Sequence, residues 1–201
     1  MAEKLSSAFY TRSDVVQVAR DLIGKYICTR IDGILTGGRI VETEAYSGEN
    51  DMACHANAGK RTPRTEIMYH EGGVAYVYLI YGLYALFNVI TNVAGKADAV
   101  LIRAIEPVDG IPEMLLRRQH SRLSPKLTAG PGVLTRALGI QVAHYGAALT
   151  GDLIWLEDRQ EMLSENQIIA SPRVGVAYAG EDARHPWRFR LQGSPWTSPA
   201  K

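Results

Sequence analysis

At 201 residues, with 46% apolar and 21% charged side chains, the chain can bury a continuous core and is too apolar to be disordered. No apolar run approaches the roughly 18 residues of a membrane span, and two cysteines are too few for a disulfide framework or a cysteine-based zinc site. Twenty-two basic against twenty-one acidic residues leave a net charge of +1, a weak field, so any case for a nucleic-acid partner must rest on local clusters.

Met1 to Ser13 has neither the apolar stretch of a secretory signal nor the bias of a transit peptide, which predicts a reducing cytoplasm and free thiols at Cys28 and Cys54. Ser13-Asp14 is a helix start. Val15, Val18, Ala19 and Leu22 follow at helical spacing, and Gly24 is a stop. Lys25 to Ile31 and Ile34 to Tyr46 read as strands joined by the hairpin turn Asp32-Gly33. Ser47 to Thr65 is a polar, irregular loop, longer than a connection needs. Val74 to Ile80 and Leu83 to Thr91 form a second hairpin around Tyr81-Gly82, and Val100 to Ile105 is a further strand. Ile111 to Arg122 reads as an amphipathic helix and Pro131 to Leu138 as a shorter one with Pro in its first turn. Leu153 to Glu157, Arg173 to Ala177 and Trp187 to Leu191 read as later strands. No repeat or linker interrupts the chain. Hairpins and clustered helices predict an α+β fold over residues 1–201, a single domain with a mainly antiparallel curved sheet, a protruding hairpin and packed helices.

Three features could carry chemistry. On a strand, Glu42, Glu44 and Tyr46 share one face. Paired carboxylates suit acid–base work at an anomeric carbon, although two glutamates alone more often mark a solvated face. Five tyrosines fall between Tyr69 and Tyr84. Tyr76 and Tyr78 share a strand face, while Tyr81 sits at a turn, the geometry of a wedge between base pairs. Lys60-Arg61-Thr62-Pro63-Arg64, and the stretch from Arg117 and Arg118 through Arg122 to Lys126, are basic clusters able to contact phosphates. His55 beside Cys54 makes no metal site, and no phosphate-binding glycine motif or nucleophile elbow is present. No cofactor and no metal are expected.

The run Gly38 to Tyr46, then Ala53-Cys54-His55, Thr62-Pro63-Arg64 and Tyr76 to Gly82, resembles the alkyladenine (3-methyladenine) DNA glycosylase family. The likeness continues in order through Asn88, Leu101 to Pro107, Gly130-Pro131, Arg173 to Val176 and Gly193 to Trp196. It implies a monofunctional glycosylase of base excision repair that flips alkylated or deaminated purines out of double-stranded DNA. By position, Glu44 would be the general base that activates water, with Arg103 and the carbonyl of Val174 helping to hold that water. Tyr46, His55 and Tyr78 would stack the base, the backbone at Ala53 and His55 would read its edge, and Asn88 would crowd the amino group of guanine. Tyr81 would be the wedge, with Leu83, Thr62 and Arg64 on the DNA. Leu83 is methionine in some relatives, and Val133 lies where some carry lysine. No long N-terminal extension is present, which suggests a bare catalytic domain from a bacterium, acting in the cytoplasm at the nucleoid as a monomer. Two other readings stand beside it. One is a carbohydrate hydrolase using Glu42 and Glu44, which lie about 6–7 Å apart on a strand. The other is a DNA-binding module without catalysis, which leaves Glu44 unexplained.

Overall fold

A computed structural model describes residues 2–199. The chain begins with a two-residue strand, β1 (Glu3–Lys4), and one helical turn, α1 (Ser7–Tyr10), neither expected from periodicity because neither is long enough for a pattern to repeat. Helix α2 (Val15–Asp21) starts where the Asp14 carboxylate accepts the Gln17 amide at 2.9 Å, and it buries Val15, Val18 and Ala19. Strands β2 (Tyr26–Ile31) and β3 (Ile34–Tyr46) turn through Asp32 and Gly33, both at positive φ, which matches the twist of an antiparallel pair.

Strands β4 (Ala75–Ile80) and β5 (Tyr84–Thr91) form the second hairpin, and β6 (Asp98–Asp109) is longer at both ends than its apolar centre suggests. Helix α3 (Ile111–Arg118) ends four residues earlier than its expected stop at Arg122, because Gln119 turns left-handed at φ 55°. Helix α4 (Pro131–Leu138) has the expected bounds and ends on Gly139. Strands β7 (Ile154–Asp158), β8 (Ile168–Ser171) and β9 (Arg188–Leu191) complete the chain. The expected strand over Arg173 to Ala177 is not one. It is an irregular turn, because Arg173 and Val174 spend their polar groups on the site described below instead of on a ladder.

All strand pairs are antiparallel, in the order β1-β7-β2-β3-β6-β5-β4. The long β3 keeps β6 along one edge. Its other edge pairs with β2 over its first half and with β9, itself joined to β8, near its end. Irregular register at Gly37–Gly38 and again around Glu42 bends this strand. At Gly38 an added Cβ would meet the Glu106 carbonyl oxygen at 2.4 Å, so only glycine fits the bend.

Alternation then sorts the two faces of the sheet. Val41 and Ala45 of β3, Val77 of β4, Phe87 and Val89 of β5, and Ile102 and Ala104 of β6 join the main core, where Thr43 also bonds the Ala19 carbonyl of α2. Helices α2 and α4 cover that face. Glu42, Glu44, Tyr46, Tyr76, Tyr78, Asn88, Leu101 and Arg103 point the other way, under residues 47–70 and 172–185. No helix among the described residues is long and apolar enough to cross a membrane.

Candidate active site

The second face carries a cavity of about 580 Å³, whose lining includes Tyr46, Ala53, His55, Tyr76, Tyr78, Asn88, Arg103 and Val174, with Tyr81 at its rim. Tyr76 and Tyr78 lie two apart on β4 with ring centroids 5.1 Å apart, and His55 meets Tyr78 edge-on at 4.8 Å. These rings form one continuous wall, not a pair of parallel plates. Tyr46, from the end of β3, lines the same cavity. His55 Nδ1 lies 3.0 Å from the Tyr76 hydroxyl, to which Arg64 Nε also donates at 3.1 Å. Burial, then the charges of Arg64 and Lys60, push the His55 pKa down to about 4, so the ring is neutral at physiological pH. The Arg64 guanidinium sits 4.5 Å over the Tyr78 ring, so that face already accepts a planar cation.

Behind this lining lies Glu44, with no solvent exposure. Its Oε1 accepts the Val174 N–H at 2.8 Å, and its Oε2 accepts the Tyr46 hydroxyl at 2.7 Å and Arg103 Nη1 at 3.2 Å. Three donors occupy three of roughly four acceptor positions, leaving one for a further partner. Burial pushes its pKa up, opposed by Arg103, the Val174 N–H and the Tyr46 hydroxyl. Glu42 shares the face but not the surroundings. It too is fully buried, and its oxygens accept Arg103 Nε at 2.8 Å, the Ser198 N–H at 2.5 Å and the Ser198 hydroxyl at 2.8 Å. The solvated strand face that two glutamates would suggest is therefore absent.

The irregular segments over the cavity are tied by one buried ion pair. Arg173 Nη1 and Nη2 reach the two oxygens of Asp51 at 2.5 and 2.8 Å, and neither side chain is exposed. The same guanidinium donates to the Ala45 and Asp182 carbonyls and lies 4.8 Å over the Tyr46 ring. Asp51 accepts the Ala53 N–H at 2.9 Å, so that amide is engaged, while the Ala53 carbonyl accepts the Tyr178 hydroxyl at 3.2 Å.

Of the residues the sequence singled out, Glu44, Tyr46, Ala53, His55, Arg64, Tyr78, Tyr81, Asn88, Arg103 and Val174 converge here. The link from Val174 to Glu44 runs through its amide. Thr62 folds into a turn with Thr65 and does not line the cavity. Leu83 faces a separate depression with Arg118 and Arg136 across the hairpin. Part of the basic stretch is internal: Arg117 bonds Glu113 at 2.9 Å and Arg118 bonds the Leu127 carbonyl. Sequence reasoning gave no role to Asp51, Arg173, Tyr178 or Ser198. Nothing local marks them, since the side-chain bonds that join Asp51 to Arg173, Tyr178 to Ala53 and Ser198 to Glu42 span 122 to 156 positions. Among the described residues no three His, Cys, Asp or Glu side chains form a metal set.

A buried carboxylate thus lies behind a wall of aromatic rings able to stack a flat ring system. Residues 8–195 match the model of the methylpurine-DNA glycosylase family. A Bacillus thuringiensis (strain Al Hakam) protein named "Putative 3-methyladenine DNA glycosylase" is 45% identical over 199 residues, 95% of this chain and 97% of that one. A Bacillus cytotoxicus protein of the same name is 43% identical over 203 residues, 97% and 99% of the two chains. The chain belongs to the methylpurine-DNA glycosylase family, hydrolases of N-glycosyl bonds in DNA repair.

Proposed function

We propose that this chain is a single catalytic domain that removes 3-methyladenine, and with it hypoxanthine and ethenoadenine, from duplex DNA by hydrolysis with a Glu44-activated water. The observation that carries the reading is the environment of Glu44: a carboxylate without exposure, held by Val174, Tyr46 and Arg103, directly behind the cavity wall. A duplex hides the glycosidic bond, so the nucleotide is extruded at a cost of a few kcal/mol. Stacking on Tyr46 and on the wall of Tyr78 and His55 returns about 1–3 kcal/mol per base. A cationic alkylpurine replaces the Arg64 guanidinium on the Tyr78 face and gains the same cation–π attraction. Asn88, whose Nδ2 donates to the Tyr76 carbonyl at 3.1 Å, is fixed against the 2-amino group of guanine.

The incoming sugar shifts Tyr46 and admits a water to the free acceptor position of Glu44. Glu44 takes a proton from that water as its oxygen bonds to C1′, and the C1′–N bond breaks with both electrons leaving on the base. Arg103 and Val174 orient the carboxylate and favour its ionised form against the burial that raises its pKa. The cavity lining contains no lysine, which favours water over a Schiff-base route. Tyr81 fills the gap in the duplex, with Leu83, Thr62 and Arg64 toward the backbone. The enzyme acts as a cytoplasmic monomer at the nucleoid.

The carbohydrate-hydrolase reading loses its second carboxylate, because both oxygens of Glu42 are taken up by Ser198 and Arg103, whereas Glu44 is bonded to Tyr46 and Val174 of the cavity lining. The test is a duplex with one 3-methyladenine, hypoxanthine or ethenoadenine, followed by alkali. Strand cleavage after alkali only, abolished in Glu44→Gln with binding retained, is expected. Equal activity in that variant overturns the role of Glu44, and binding without release from any lesion favours a module without catalysis.

A further inference from the structure

The segment after β9 returns to the catalytic strand. Trp196 packs on the main core and Ser198 is almost fully buried. Ser198 meets Glu42 twice, its N–H on Oε2 at 2.5 Å and its hydroxyl on Oε1 at 2.8 Å. That hydroxyl also accepts Arg103 Nη2 at 3.3 Å. Each nitrogen of the Arg103 guanidinium thus has its own partner: Nε on Glu42, Nη2 on Ser198, and Nη1 on Glu44. A planar guanidinium held at three corners cannot rotate about its stem, so the direction of its Nη1 donor is fixed.

We infer that Ser198 is a positioning residue for the reaction: the C-terminal segment, through the Ser198 hydroxyl and Glu42, aims Arg103 at Glu44. This rests on the reading of Glu44 as the base. Ser198 does not line the cavity and touches no part of a bound nucleotide there. Its influence passes through Arg103, on the rate of the chemical step and not on DNA binding. Replacing it by alanine leaves Arg103 Nη2 buried without a partner and Glu42 one donor short, while the backbone N–H bond remains. A threonine keeps the hydroxyl. Thr197 is the matched control, because its hydroxyl bonds only the Ser194 carbonyl at 3.4 Å.

The experiment is single-turnover release of hypoxanthine from a duplex across a range of enzyme concentrations, with thermal unfolding measured on the same samples. Ser198→Ala is expected to lower the saturating rate about tenfold, the loss of one charge-assisted hydrogen bond. The half-saturating enzyme concentration stays unchanged. Ending the chain at Thr197 lowers the rate further, Ser198→Thr restores it, and Thr197→Ala matches the wild type. A Ser198→Ala rate within about twofold of wild type overturns the inference. So does an equal loss in Thr197→Ala, or a failure of threonine to rescue, since either would make the effect one of packing. Wild-type enzyme that binds but releases no base would instead overturn the reading of Glu44 itself.

Discussion

Asp51→Asn tests whether the buried ion pair holds the site together. Asp51 accepts four N–H groups: Arg173 Nη1 and Nη2, Ala53, and Ser47 at 3.3 Å. Each oxygen takes one guanidinium and one backbone donor, so turning either into NH₂ sets a donor against two donors whichever way the amide faces. Arg173 keeps only carbonyl partners for a charge whose side chain has no exposure. Removing one member of a buried pair costs about 3–5 kcal/mol. For a chain of this length about 2–4 °C of Tm is lost per kcal/mol, which gives a fall of about 6–20 °C. A domain near the middle of the usual range, stable by about 10 kcal/mol, keeps about 5–7 kcal/mol and still folds at 25 °C, so activity can be read there. Because Arg173 lies over Tyr46 and precedes Val174, the excision rate should fall at 25 °C while the protein remains folded. Thermal unfolding by circular dichroism and single-turnover excision are the two measurements. A Tm within about 2 °C of wild type would refute the reasoning, since even a weakly coupled buried pair exceeds that.

Tyr81 adopts φ 54° with 84% of its surface exposed, a left-handed geometry that costs a non-glycine residue about 1–2 kcal/mol with no packing in return. Tyr81→Gly should therefore leave Tm unchanged or raised while slowing excision from paired DNA more than from single strands; a drop in Tm would show that the ring is structural. Since burial raises the Glu44 pKa and the Tyr46 hydroxyl opposes that rise, the acid limb of the rate profile should lie above the ordinary carboxylate range. Tyr46→Phe should move it higher still, and a downward move would contradict the assignment. His55, neutral when folded with a pKa near 4, binds its proton more weakly than in the unfolded chain. Its contribution is full above about pH 6.5 and is lost as pH falls toward 4, at most about 3 kcal/mol. His55→Gln should flatten the Tm profile in that window. Arg64→Ala should raise the His55 pKa, read from its ring protons by NMR, because Arg64 is the largest charge holding it down.

The legible part of the molecule was the part with short-range pattern. The Asp32-Gly33 turn and the extended run that follows gave both bounds of β3, and period-two geometry gave the shared face of Glu42, Glu44 and Tyr46. Asp14, Asp32-Gly33 and Tyr81-Gly82 carry their caps and turns in adjacent residues. Arg173 to Ala177 failed because a β-branched, glycine-containing run has strand composition, whereas its geometry is set by Asp51, 122 positions away. The helix α3 was overrun because periodicity does not register a left-handed Gln119. Resemblance brought Glu44, Arg103 and Asn88 into one set, yet it was silent on what holds them, since Ser198 and Asp51 have no local signature.

Glu42 and Glu44 show how one strand face produces two different carboxylates. They are the same residue type, two positions apart, equally buried, and both bonded to Arg103. The difference lies in the remaining donors. Glu42 receives a backbone N–H and a hydroxyl from Ser198, with Arg188 at 3.5 Å, so its charge is matched from several sides and no cavity-lining group but Arg103 touches it. Glu44 receives its other donors from Tyr46 and Val174, both of which line the cavity. A ligand that displaces Tyr46 strips one stabilising donor from Glu44 and none from Glu42. On the proposed reading of Glu44 as the base, losing that donor makes the carboxylate a stronger base as the sugar carbon approaches. On that reading, reactivity is coupled to occupancy of the cavity, while Glu42, bonded to Ser198 and Arg103 away from the cavity, keeps Arg103 in line.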